Sequence, residues 1–199
     1  MIVGTLPPPR FTTGELKPKD VNFCYGSCDG QLWPILDRIF NLNLVYKTTQ
    51  EAIAQRKAFL SQRGIAICDI VDRAEREKID ASDLGINNAK LRDILGYLKA
   101  YPKIETLLFT GGNSKNGPEY FFRKLLKEKE IPLTTIQDTV PRIYNFNFMG
   151  RTVRTVSLTA PSGAANRAVG SLDSYKTLKA ANPDFNTLDF RVLQYKPFF

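Results

Sequence analysis

The sequence predicts an α/β fold: one domain over residues 1–199, three αβα layers deep, with a mostly parallel central sheet covered by helices on both faces. Three observations lead there. Short apolar runs rich in β-branched residues alternate with segments whose apolar residues recur at helical spacing, the pattern of successive βα units. Glycine and proline mark the changeovers between them. Hydrophobic residues make up 43% of the 199, enough to fill a core at this length.

The elements follow in order. Residues 2–4 read as a strand that begins at once, where a signal peptide would need a basic and then a long apolar stretch. Pro7-Pro8-Pro9 forbids helix and gives an extended loop. Leu32, Ile35, Leu36, Ile39 and Phe40 fall at helical spacing. Thr48-Thr49-Gln50-Glu51 has the capping-box pattern of a helix that Gly64 stops. The run IAICDIV over 65–71 reads as a buried strand. A helix over 89–99 places Leu91, Ile94, Leu95 and Leu98 on one side, and 106–110 is a second buried strand closed by Gly111-Gly112. Gly117-Pro118 starts a helix through Lys127, with proline at its favoured first position. A further strand over 153–158 runs into a small-residue loop over 159–170. Ser171 can cap a helix to Ala180, and 191–195 reads as an edge strand. Ligands bind at the carboxyl ends of strands in such sheets. The segments 5–30, the turn after Asp69 and 159–167 are therefore expected to carry the site.

The residue inventory excludes whole classes of chemistry. The chain has no histidine, so Ser-His-Asp and Cys-His hydrolases and H-E-x-x-H metalloproteases drop away. The three cysteines, Cys24, Cys28 and Cys68, form no C-x-x-C pair and fall short of a zinc or iron–sulfur ligand set. No metal and no cofactor is expected, and the thiols read as reduced, as in a cytosolic protein. Cys28 and Cys68 are expected to be packing residues, and Trp33, on an apolar helix face, a core residue. No stretch approaches the roughly 20 apolar residues of a membrane helix.

Charge points to a polyanionic partner. The net charge is +8. Residues 142–199 hold eight cations against three anions, and a basic field of this kind favours and accelerates encounter with nucleic acid.

Five segments carry a resemblance: Gly4-Thr5-Leu6-Pro7-Pro8, the stretch Tyr25-Gly26-Ser27-Cys28-Asp29-Gly30-Gln31-Leu32-Trp33, Gly64-Ile65-Ala66-Ile67-Cys68-Asp69, Leu108-Phe109-Thr110-Gly111, and Ala160-Pro161-Ser162-Gly163-Ala164-Ala165-Asn166. In this order, across residues 2–170, they resemble the uracil-DNA glycosylase superfamily, closest to its mismatch-specific uracil and hypoxanthine branches. The resemblance implies a glycosylase-like fold and roles for individual residues. Gly4, Thr5, Leu6 and Pro7 would form the floor of a base pocket. Tyr25 would stack on an extruded base, and Asp69 would face the pocket from a strand end. Pro161, Ser162, Gly163, Ala164 and Asn166 would form the loop that enters the DNA groove, with Arg167 on phosphate.

The departures lie at catalytic positions. Leu6 and Gly30 stand where relatives carry asparagines, and Ala160 where the uracil-specific branch has a histidine. An N-glycosidic bond breaks through an oxocarbenium-like sugar and an anionic base. A carboxylate can stabilise the cation or activate water, as in glycosidases, and the acids at hand are Asp69 and Asp29. Asp69 has a structural alternative, a turn cap or a pair with Arg73. Backbone donors near Gly4 and Ser162 can meet the base anion.

The expected function is excision of a flipped deaminated or damaged base. The partner is duplex DNA, and the chain acts as a monomer in the cytoplasm beside the nucleoid. The alternatives are a catalytically inactive nucleic-acid-binding protein of the same fold and a nucleotide or nucleoside hydrolase.

Overall fold

The computed structural model describes residues 1–80 and 82–199. Along the chain run β1 (Ile2–Gly4), α1 (Arg10–Thr13), α2 (Leu32–Phe40), α3 (Gln50–Gln62), β2 (Ile67–Asp69), β3 (Val71–Arg76), β4 (Ile86–Leu91), α4 (Ile94–Ala100), β5 (Thr106–Phe109), α5 (Pro118–Glu128), β6 (Thr134–Gln137), β7 (Arg142–Phe148), β8 (Arg151–Ser157), α6 (Asn166–Gly170), α7 (Asp173–Ala181) and α8 (Thr187–Tyr195). The fold is mixed α/β. Its contacts gather into two compact units, one of Met1–Gly14 with Arg63–Leu158, the other of Glu15–Gln62 with Thr159–Phe199.

The first unit holds the whole central sheet, in the order β2-β1-β5-β8-β7-β6. The first four strands are parallel; β7 and β6 run antiparallel to their neighbours. One apolar cluster fills the unit, with Val3, Phe109 and Val153 from the strands, Leu95 and Leu98 from α4, and Phe121, Phe122 and Leu126 from α5. Burying such side chains contributes roughly 1.5–3 kcal/mol apiece.

The 65–71 run is not one strand. The chain leaves the sheet after Asp69: Ile70 N donates to Gly4 O and Val71 N to Thr5 O. Val71 then opens β3, which pairs with β4 in a separate two-stranded sheet. The hairpin was not expected, because its strands (VDRAER and INNAKL) carry little apolar signal. It claims 89–91, so α4 begins at Ile94 instead of 89, with Asp93 capping Gly96 N. β6 and β7 were also missed, although Tyr144, Phe146 and Phe148 alternate in β7 as a half-buried strand requires. The β7–β8 turn rests on Met149 and Gly150, both at positive φ, the backbone that suits a two-residue hairpin turn.

The second unit is helical. Trp33 is buried among Phe23 and Phe59, as its place on α2 predicts. In α3, Ala52, Arg56, Phe59 and Leu60 are the buried positions, at helical spacing. Thr49 Oγ1 accepts from Ala52 N at its start, and Gly64, just past the helix and in the first unit, takes φ +61. Arg56 is fully buried, with its guanidinium over the rings of both Trp33 and Tyr46.

Three further local expectations fail, the last of them in the first unit. Residues 191–195 are not a strand but the end of α8. Asn186 caps that helix, accepting from Leu188 N and Asp189 N while its own N donates to Asp189 Oδ2. Ser171 does not cap α7; its hydroxyl donates to Ala168 O and Leu172 is the N-cap. Pro7-Pro8-Pro9 is extended only in part, since Pro9 adopts helical dihedrals and α1 follows directly.

Candidate functional site

In the first unit, the carboxyl ends of β1 and β2 bring together five of the expected residues. The parallel register sets Gly4 opposite Asp69. Thr5 is buried just beyond, Leu6 packs its side chain against the apolar cluster, and Pro7 O accepts from Arg76 Nη2 at 3.1 Å. Asp69 sits half-buried at the strand end, and burial pushes its carboxyl pKa from the ordinary 3.8 up to about 6. Arg92 opposes this rise and the carboxylate of Asp83 adds to it. Among the described residues no side chain or backbone amide donates a hydrogen bond to the Asp69 carboxylate. The guanidinium acting on it is that of Arg92, not Arg73, and Arg92 itself pairs with Asp72 at 2.9 Å.

Asp83 is the residue that sequence reasoning missed. It opens a short 3₁₀ turn, Asp83–Gly85, near the tip of the β3–β4 hairpin. Its Oδ2 accepts from Thr5 Oγ1 at 2.9 Å. Asn116 Nδ2 secures the same turn by donating to Asp83 O and Ile86 O, each at 2.9 Å. The available signal was its company in Asp80-Ala81-Ser82-Asp83, a turn-forming string between two short strands.

In the second unit, two loops are knitted into one surface. Tyr25 stands at φ 56, an outlier for a bulky aromatic residue that costs on the order of 1–3 kcal/mol and needs surroundings that enforce it. The enforcing contacts are visible. Gly26 N donates to Phe23 O and Val21 N to Gly26 O. A Cβ on Gly26 would lie 1.8 Å from Val21 O, so only glycine fits. The fully buried Asp20 accepts from Lys17 N at 2.9 Å and Cys28 N at 2.7 Å. Asp29 lies on the exposed part of this loop, 2.8 Å from Lys17 Nζ, and Cys28 is exposed, not packed.

The loop at 159–166 joins it through an antiparallel bridge between Gly30 and Ser162 and through Gln31 N donating to Pro161 O. Beneath lies α8. Its Arg191, fully buried, donates to Ala160 O, Ser162 O, Gln31 Oε1, Asn166 Oδ1 and Thr187 O. Gln194 Oε1 accepts from Thr159 N and Oγ1, and Tyr195 OH donates to Thr159 O at 2.7 Å. Residues 191, 194 and 195 share one helical face, which a strand could not provide. Pro161 is buried and the Asn166 side-chain oxygen is taken by Arg191 and Thr187. Gly163, Ala164 and Arg167 are exposed. The Ser162 amide is committed to Ala160 O, so it is not the donor expected for a departing anion.

The C-terminal positive charge is partly spoken for. Arg142 binds Glu119 at 2.6 Å, and Arg151 donates to Ile104 O and Leu98 O. Arg191 serves the loop, Lys176 pairs with Asp173, and Lys179 donates to Pro183 O. Arg154, Arg167 and Lys196 are exposed.

Among the described residues no group of acids and cysteines has the makings of a metal site, and no helix is long and apolar enough to cross a membrane. No family model matches the chain, and no curated protein or solved structure matches it significantly.

Proposed function

We propose that the protein hydrolyses the N-glycosidic bond of a deaminated or damaged base extruded from duplex DNA, with Asp69 as the acting carboxylate. The observation that carries this reading is Asp69 itself: a half-buried acid at the carboxyl end of a parallel strand, its pKa raised to about 6 by burial. A base with a pKa near the working pH is both deprotonated enough and basic enough to take a proton. In the step proposed, the bond from C1′ to the base nitrogen breaks and the base leaves with the electron pair. Water adds to C1′ as Asp69 takes its proton, and the carboxylate steadies the sugar's developing positive charge meanwhile.

The second unit, taken by itself, carries candidate DNA contacts. Tyr25, held at its unusual φ, offers a stacking ring, and the exposed Gly163, Ala164 and Arg167 offer a small-residue loop beside a cation. Extruding a base costs roughly a few kcal/mol, least in a mispair, so mispaired or damaged sites are the preferred substrates. The finer expectations belong to the same proposal: a three-layer, glycosylase-like arrangement acting as a monomer on DNA in the nucleoid.

A second reading, nucleic-acid binding without catalysis, is favoured by Leu6. That side chain packs against the apolar cluster where the resemblance would place an amide. One experiment separates the two. Duplexes carrying uracil, hypoxanthine, xanthine or an alkylated purine are incubated with excess protein, and abasic sites are then opened with alkali. Strand scission on at least one duplex, lost in Asp69→Asn, is the expected result. Binding of these duplexes with no scission by the parent protein establishes the second reading instead.

A further inference from the structure

We propose that Asp83 is a positioning residue for the strand-end acid: the β3–β4 hairpin carries it back onto the loop after β1, where its carboxylate grips the Thr5 hydroxyl and fixes the charge beside Asp69. The inference deepens the function proposed above and rests on it for its catalytic consequence, though not for its physical content.

The geometry runs through Thr5. On one side, Gly4 stands in register with Asp69, and Ile70 N and Val71 N donate to Gly4 O and Thr5 O. This clamps the Thr5 backbone to the segment that follows Asp69. On the other side, Thr5 Oγ1 donates to Asp83 Oδ2 at 2.9 Å. Thr5 is thus held between the two acids, buried, with its hydroxyl committed to only one. The hairpin tip is in turn anchored. Arg76 donates to Asp80 O, Ser82 O and Pro7 O, and the buried Asn116 donates to Asp83 O and Ile86 O. Two of these ties, Arg76 to Pro7 O and Thr5 to Asp83, join the hairpin to the β1 loop, and a hairpin that formed only to complete its own two-stranded sheet would need neither.

Two carboxylates at one strand end resist joint ionisation, so each favours the protonated form of the other. Among the described residues, Arg92 and Arg76 are the cations acting on them. Arg92 acts on Asp69 and is shared with Asp72, while Arg76 acts on Asp83. Burial raises the proton affinity of both acids, and the Thr5 hydroxyl opposes that rise at Asp83 alone. Asp83 is therefore the acid of the pair that ionises with help, and its charge helps keep Asp69 a base.

The test follows the carboxyl carbons of Asp69 and Asp83 by ¹³C NMR through a pH titration of the full chain, in the parent, Asp83→Asn and Thr5→Val. Asp83→Asn keeps an acceptor for Thr5 and removes only charge, so the Asp69 midpoint should fall by roughly 0.5–1 pH unit. Thr5→Val should raise the Asp83 midpoint, since its charged form loses a donor. Amide spectra check that each variant keeps the parent fold. An Asp69 midpoint unmoved by Asp83→Asn in a folded protein overturns the proposal. If a duplex is cleaved by the parent, the acid limb of its pH–rate profile should move with the NMR midpoint in Asp83→Asn, and a fixed limb also overturns it. If no duplex is cleaved, the titration alone decides the pairing, while the glycosylase reading falls by itself.

Discussion

Two aspartates, one in each unit, show how the same side chain takes on opposite characters. Asp20 is fully buried, yet two backbone amides point at its carboxylate and its own carbonyl accepts from Thr48 Oγ1. Asp69 is less buried, but no hydrogen bond reaches its carboxylate among the described residues. Donors aimed at a charged oxygen replace the water it gave up; burial without donors leaves the charged form exposed to its full desolvation cost. Asp20 therefore holds a loop in place, whereas Asp69 has a raised proton affinity. The same contrast runs through the cations. Arg191 spends its guanidinium on five acceptors and builds the 159–166 loop, while Arg167, exposed on α6, has its charge turned to solvent. Satisfied buried groups make structure, and unsatisfied or exposed ones are left for chemistry and contact.

The largest expected effect tests the chemical side. Asp69→Asn should lower the single-turnover rate on any duplex the parent cleaves by about 10²–10⁴, the range for losing a general base. A rate within threefold of the parent would move the acting group elsewhere.

Next comes the structural side. Arg191→Ala removes the Arg191 hydrogen bonds to Ala160 O, Ser162 O and Gln31 Oε1, and one of the two donors to Asn166 Oδ1. Hydrogen bonds to a charged donor contribute about 1.5–3 kcal/mol each and buried acceptors left without partners add a penalty. A loss of about 3 kcal/mol or more in urea unfolding is expected, with an m-value close to the parent's. A loss below about 1 kcal/mol would show that the loop stands without its guanidinium.

The pH dependence sharpens the contrast between the aspartates. Because the folded-state pKa of Asp69 lies near 6 and its ordinary value is 3.8, the folded protein binds the extra proton between those limits. Stability from this group is therefore full below about pH 4 and is lost as the pH rises through about 6. The difference corresponds to roughly 3 kcal/mol at neutral pH. Asp69→Asn should accordingly be more stable than the parent at pH 8, with the advantage shrinking to nothing near pH 4. Thermal melts of the two proteins across this range measure it, and parallel curves would remove the raised pKa.

The smallest effect concerns contact. Arg167→Ala should weaken duplex binding by about tenfold and reduce the salt slope by about one, leaving the melting temperature unchanged. Equal affinity at two salt concentrations would move the phosphate contact off α6.

How much of this was legible in the chain follows a simple division. Periodicity and punctuation placed β1, β5, β8, α2, α3 and α5, because each draws its stability from its own apolar face and its own terminating residues. Asp69 is different: the apolar run over 65–71 reads as a single strand through it, and only the pairing with β1 and the departure of the chain into β3 put Asp69 at a strand end. Local signals were also present for α8 in Asn186-Thr187-Leu188-Asp189 and for β7 in its alternating aromatic residues. What no local pattern carries is the satisfaction of buried polar groups. Asp83 meets Thr5 across 78 positions and Arg191 meets Gln31 across 160, so neither pairing leaves a trace in the spacing of nearby residues. The sequence by itself determined which residues are apolar, which are charged and that no histidine chemistry is possible. The tertiary structure decided which acids and cations are satisfied, because a desolvated charge takes its character from the donors and acceptors that long-range folding brings to it.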